Sequence, residues 1–244
     1  MDGHLHPTCI EVRPSSSEHK QRWARLPGTA ALFCASQGLL ALLYAWSGAF
    51  GGFRYDFARI ESARFDVPVA AYPWATWTAF LLATAVFPLV WETLVAGEIL
   101  SRIGFWSPTK PLKEVVFAAF STALFLAAMT IGLRIAKQGL PHTLALGNAL
   151  FFSIQFGVIA AGEETLYRGV LQRRLSGILS LLPGIVLSSA VWAFVGHVRQ
   201  PALQNLIIRF PVGLLLGYIY VRSKSLYPAM LAHWLLDMAV TVGF

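Results

Sequence analysis

Charge is what this sequence has least of. Only 13% of its 244 residues are charged against 56% hydrophobic, and the mean hydropathy is +0.60. A chain so poor in charge lacks the surface of an ordinary soluble domain, and apolar segments of about 20 residues recur along it, the length a helix needs to cross the hydrocarbon of a bilayer. Cysteine is nearly absent too. Cys9 lies in the N-terminal tail and Cys34 in the first apolar segment, which excludes a disulfide framework and a thiolate metal site. There is no HExxH motif, no GxS around Ser188 and Ser189, and no GxGD, which removes zincin, rhomboid-type serine and presenilin-type aspartyl chemistry. No internal repeat is visible, against expectation for a proton-coupled transporter. The first apolar segment is too long for a removable signal peptide and lacks an A-x-A-like cleavage site, so it reads as a retained span.

What is present is an all-α polytopic membrane helix bundle of about seven spans (range about six to eight). They are expected near 28–50, 72–97, 114–134, 146–169, 178–199, 203–221 and 225–243. Residues 1–25 form a polar tail and 26–244 a single transmembrane domain. The net charge of +7 and the 19 Lys and Arg form no dense basic stripe with interleaved aromatics, so nucleic acid is not an expected partner. Arg13, Lys20, Arg22, Arg25, Arg102, Lys110, Lys113, Arg173, Arg174, Arg222 and Lys224 fall on one side. Arg54, Arg59, Arg64, Arg134, Lys137 and Arg199 fall on the other. The positive-inside rule then makes the N-terminus cytoplasmic, with Phe244 outside, in a protein of the cell inner membrane. Residues 51–71 suit an amphipathic segment, 102–114 a proline-broken connection, and 171–182 an interfacial stretch before a helix that starts near Pro183. Trp46, Trp74, Trp77 and Trp106 suit an interfacial belt.

Ionisable groups inside a membrane helix cost about 2.5–3.5 kcal/mol each and mark function. The first three spans hold Glu92 and, near an end, Glu98. The last four hold Glu163, Glu164, Arg168, His197, Arg209, His233 and Asp237. In AGEETLYRGV, 161–170, Glu164 and Arg168 stand i, i+4 and can pair. Glu163, about 100° around the helix, is then left unpaired and suited to proton transfer. In HWLLD, 233–237, imidazole and carboxylate share one face, an arrangement that fixes a histidine's tautomer. Glu163 and His233 are expected at matching depths, about 9–13 Å from one membrane face, with His197 nearer the opposite end of its span. Glu92 reads as a structural partner for a cation such as Arg209. Arg209, before Pro211, reads as a donor to carbonyls freed by the proline.

These residues resemble a known family. EETLYR matches the EExxxR motif of the CPBP (CAAX prenyl protease and bacteriocin-processing, or Abi) intramembrane proteases, which include the type II CAAX prenyl endopeptidases. His197 in WAFVGHV resembles the histidine of their FxxxH motif, with Ala193 at the phenylalanine position between Trp192 and Phe194. HWLLD resembles their HxxxN/D motif, and the order agrees over about residues 90–240. The resemblance implies an intramembrane endopeptidase cutting near the C-terminus of a membrane-attached protein or peptide in the lipid bilayer. Glu163 would activate water, His197 and His233 would orient it or stabilise the intermediate, Arg168 would hold Glu164, and Asp237 would orient His233 or donate to the oxyanion. No cofactor is certain. One glutamate and two histidines would also suffice for a divalent metal such as zinc, and the metal question stays open. The rival reading is a non-catalytic membrane protein for bacteriocin self-immunity or partner binding.

Overall fold

A backbone in hydrocarbon has to satisfy its own hydrogen bonds, and this chain does so with helices: no strand occurs among the described residues. The computed structural model describes residues 23–51, 74–105, 111–135, 149–198 and 200–242. Its helices are α1 (Leu26–Gly51), α2 (Trp74–Val95), the short α3 (Leu100–Ile103), α4 (Pro111–Ile135), α5 (Ala149–Leu179), α6 (Leu181–Gly196), α7 (Ala202–Ser223) and α8 (Leu226–Val242). By length and composition α1, α2, α4, α5 and α7 can each cross a membrane, and α6 and α8 are shorter apolar helices. The protein is an integral membrane helix bundle. The amphipathic segment expected within 51–71, the tail up to residue 22, the stretch 106–110 with Trp106, and Arg199 lie outside the described residues.

The fourth helix differs from expectation. Instead of ending at 169 with an interfacial stretch after it, α5 continues to Leu179. The amide and the two arginines that argue for a break find partners in the bundle. Gln172 Nε2 donates to the Gly217 carbonyl at 3.0 Å, and Arg173 and Arg174 pair with Glu92. The helix stops where Ser180 takes a φ of 99°, and Pro183 falls in the first turn of α6, where its missing N–H does no harm. Over Thr165–Gln172 the winding loosens to the i→i+5 pattern and every residue is buried, because this stretch runs through the middle of the bundle with α2, α6, α7 and α8 around it. Loosened turns of this kind occur mostly as local insertions, often at functional sites.

Small residues let the helices approach. A Cβ on Gly162 would overlap Phe80 and Thr84 of α2, and one on Gly213 would come within 2.9 Å of Ser189 Cβ on α6. On α7, Gly213 and Gly217 lie one turn apart, and their carbonyls receive Arg168 and Gln172 of α5. A small-xxx-small face therefore brings polar side chains of one helix to the backbone of the next. At one end of the bundle Leu226 N–H donates to the Gly104 carbonyl at 2.9 Å, Tyr220 Oη–H donates to the Ile103 carbonyl at 3.0 Å, and Arg222 meets Glu114 at 3.4 Å. Gly104, at φ 104°, closes α3 in the left-handed region open to glycine. Among the described residues Arg25, Arg102, Arg173, Arg174, Arg222 and Lys224 gather at this end, the basic end of the described bundle. Trp77 departs from the interfacial reading: it is buried, and its indole N–H donates to Gln155 Oε1 at 3.3 Å. Leu94, Leu112, Phe120 and Leu182 instead face outward, as lipid contact requires.

Because Gly162 is held against α2 while nothing lies within 4 Å of a Cβ on Gly38, Gly162→Ala is expected to destabilise the protein by about 1–3 kcal/mol. Gly38→Ala is expected to be neutral or slightly stabilising. Thermal unfolding of the two variants in detergent checks the contrast.

Candidate active site

The middle of α5, where the regular helix gives way to the loosened turn, points two carboxylates and a guanidinium into the bundle. Glu164 and Arg168 are both fully buried, with Glu164 Oε2 3.3 Å from Arg168 Nε, the i, i+4 pair that their spacing predicts. Arg168 Nη2 reaches the Gly213 carbonyl at 3.4 Å, and its guanidinium lies 5.4 Å from the centre of the Trp192 ring. The other oxygen of Glu164 accepts from His233 of α8, 2.9 Å from Nδ1. A carboxylate at Nδ1 assigns that nitrogen its proton and leaves Nε2 facing the rest of the site.

Two more carboxylates meet Nε2. Asp237 Oδ2 lies 3.6 Å away, one turn along α8, and Glu163 Oε2 lies 3.9 Å away. Glu163 is not unpaired, as its spacing alone suggests. It accepts a hydrogen bond from the indole N–H of Trp192 on α6, and 14% of its side chain is exposed. The neighbours Glu163 and Glu164 thus point to different partners, Glu164 to Arg168 and Glu163 to Trp192, while His233 touches both.

Of the residues singled out from the sequence, Glu163, Glu164, Arg168, His233 and Asp237 come together. His197 does not join them directly. It follows the last turn of α6, its Nδ1 lies 3.0 Å from the Trp192 carbonyl, and its ring packs edge-on against the indole at 4.9 Å. His233 packs edge-on against the same indole at 5.6 Å. A zinc set of Glu163, His197 and His233 is therefore not assembled. No group of three His, Cys, Asp or Glu side chains among the described residues is placed to hold a metal ion, and the residues as arranged do not fit one.

Trp192 is the residue that sequence reasoning passed over. It stands beside Ala193, which is fully buried where the family motif has phenylalanine, and the indole supplies the aromatic bulk from the adjacent position. A buried tryptophan needs an acceptor for its N–H, and that requirement was the available clue. Asn205 was missed as well. It is buried near the start of α7, donates to the His197 carbonyl at 3.0 Å and accepts from Arg209 Nη1 at 3.1 Å. Arg209 is accordingly tied to Asn205, rather than to proline-freed carbonyls, and Glu92 pairs with Arg173 and Arg174 rather than with Arg209.

Residues 145–239 match the family model described as Type II CAAX prenyl endopeptidase Rce1-like. These residues belong to the CAAX-protease family. The matched segment holds every member of the cluster, from EETLYR on α5 to HWLLD on α8, so the CAAX-protease domain and the buried polar site coincide. No curated protein and no solved structure gives a significant match to the chain. Membership makes the domain a CAAX-type intramembrane endopeptidase in its general class, with a membrane-attached protein as its class of substrate.

Removing one member of a buried ion pair strands the other, at about 3–5 kcal/mol. Arg168→Ala is therefore expected to lower the melting temperature in detergent sharply. The pairwise replacement Glu164→Gln with Arg168→Met is expected to recover most of that loss, since it leaves no buried charge without a partner.

Proposed function

We propose that the protein hydrolyses a peptide bond near the C-terminus of a membrane-attached protein or peptide, with water activated by Glu163. We place its N-terminus on the cytoplasmic side of the cell inner membrane. The observation that carries this reading is the relation of Glu163 to His233. Their facing atoms stand 3.9 Å apart, too far for a direct hydrogen bond, so both can address one water lying beside them.

In this scheme Glu163 Oε2 takes a proton from that water while His233 Nε2 accepts its second O–H. The hydroxide adds to the scissile carbonyl carbon, and the carbonyl π electrons move to oxygen. When the tetrahedral intermediate collapses, the C–N bond breaks and Glu163 returns its proton to the leaving amine. Each other group holds one of these two in place. Trp192 N–H fixes the Glu163 carboxylate, and Glu164, itself anchored by Arg168, fixes the His233 ring. Asp237, one turn along α8 and 3.6 Å from Nε2, helps to orient the ring. His197 acts through Trp192, whose carbonyl it binds.

Glu163→Gln is expected to lower turnover at least about 100-fold, the low end for general-base loss, with an unchanged melting temperature. Mass spectrometry of membrane-protein C-termini in cells carrying wild type or Glu163→Gln tests the reading. Shortened C-termini are expected only with the wild type. Identical profiles in the two cell lines would overturn it in favour of a binding or immunity role.

Trp192→Phe keeps the ring and loses the N–H. A hydrogen bond to a charged group contributes about 1.5–3 kcal/mol, so kcat is expected to fall about 10- to 100-fold with KM within about twofold. Steady-state kinetics on a prenylated CaaX peptide separates this from a packing defect, which would lower stability without that split.

A further inference from the structure

Glu92 takes no part in the chemistry around Glu163, although it is fully buried. It receives Arg173 Nη2 and Arg174 Nε. Beside this ion cluster lies a cavity of about 340 Å³, where the start of α1 meets the ends of α2 and α5, with Arg25, Thr29, Glu92, Glu98, Arg173 and Arg174 among its lining residues. Arg173 is ten residues from Glu163 along α5, about 15 Å at 1.5 Å per residue, so the cavity is separate from the candidate active site.

The arginines differ in what they have left to offer. Arg173 is used on every side: Nε donates to the Gly169 carbonyl at 3.1 Å, Nη2 to Glu92, and Nη1 lies 3.2 Å from Glu98. Glu98 is shared with Arg102 at 3.7 Å. Arg174 is oriented by Glu92 through Nε alone, so its two terminal nitrogens have no acceptor among the described residues. Arg25 has no carboxylate partner among them either. The walls therefore carry three guanidinium groups to two carboxylates that are already engaged. What remains available is a pair of forks, the geometry that suits phosphate oxygens.

The flanks of the cavity are apolar and face outward. Leu94, Val95 and Ile99 adjoin the lining residues Ala96 and Glu98, while Leu181 and Leu182 follow the lining residue Ile178, and all five are exposed. These faces meet acyl chains in a bilayer, so a phospholipid can place its headgroup in the cavity and its tails on the adjoining faces as one molecule. The cavity also lies at the basic end, the position at which interhelical basic pockets take anionic lipid headgroups.

We propose that this cavity binds the phosphate of an anionic phospholipid, held by Arg25 and Arg174, with the acyl chains lying on the outward faces of α2 and the start of α6. The test uses the full-length protein in nanodiscs of phosphatidylcholine with and without phosphatidylglycerol. Retained lipid is read by native mass spectrometry, and stability by melting temperature. From the two arginines together, phosphatidylglycerol is expected to be retained about 30-fold over phosphatidylcholine and to raise the melting temperature.

Arg25→Gln removes a side chain with no ion-pair partner among the described residues, so the fold should survive it. It is expected to erase most of the preference, and Arg174→Gln to do the same. Lys224→Gln, an exposed change at the same end but outside the cavity, is expected to leave the preference intact. Equal retention of the two lipids, a preference insensitive to Arg25→Gln, or an equal loss in Lys224→Gln would overturn the proposal. Inorganic phosphate in detergent that stabilises the protein as much as phosphatidylglycerol does would assign the cavity to a free anion and overturn it as well.

Discussion

The buried contact between Glu164 and Arg168 is the constraint on which the rest of the structure depends. Charges of this kind are tolerated away from water only when paired, and the contacts of these two recruit three further helices. Arg168 needs the carbonyl of Gly213, which brings α7 close. It lies over the indole of Trp192, which brings α6. Glu164 needs the imidazole of His233, which brings α8. The glycines on α7 follow from the same demand, since a side chain at Gly213 would collide with α6 and hold the backbone carbonyl out of reach.

The same constraint divides the labour between two adjacent glutamates. Glu164 is spent on structure and Glu163 is left beside a partly open space, held by a neutral donor. A neutral indole fixes the direction of the carboxylate without bringing a cation to quench it. The different surroundings of Glu163 and Glu164 therefore come from which helix each neighbour faces, more than from any property of the glutamates themselves. At the basic end Glu92 repeats the pattern in another form, since it aligns two arginines and leaves the terminal nitrogens of Arg174 unused.

Much of the architecture was legible in the chain. The apolar windows located the long helices and the two shorter ones because a bilayer imposes length and composition directly. The i, i+4 spacings within EETLYR and HWLLD announced the Glu164–Arg168 pair and the shared face of His233 and Asp237, because those relations are internal to one helix. The end of α5 was not legible. QRRLSG reads as a boundary until Glu92 and Gly217, distant in sequence, supply its partners. Trp77 read as interfacial for a similar reason, since its acceptor Gln155 belongs to another helix.

The sequence by itself determined that this is a membrane bundle, which helices carry Glu163, Glu164, Arg168, His233 and Asp237, and which of those residues share a face, because all three depend on composition and helical period. Only the tertiary structure decided that Glu163 is bound to Trp192, that His233 bridges to Glu164, that His197 is turned to a backbone carbonyl, and that Glu92 serves Arg173 and Arg174. The physical reason is that period fixes direction within a helix, whereas the partner a buried polar group finds depends on the rotation and separation of neighbouring helices. Those are set by side-chain packing across the whole bundle.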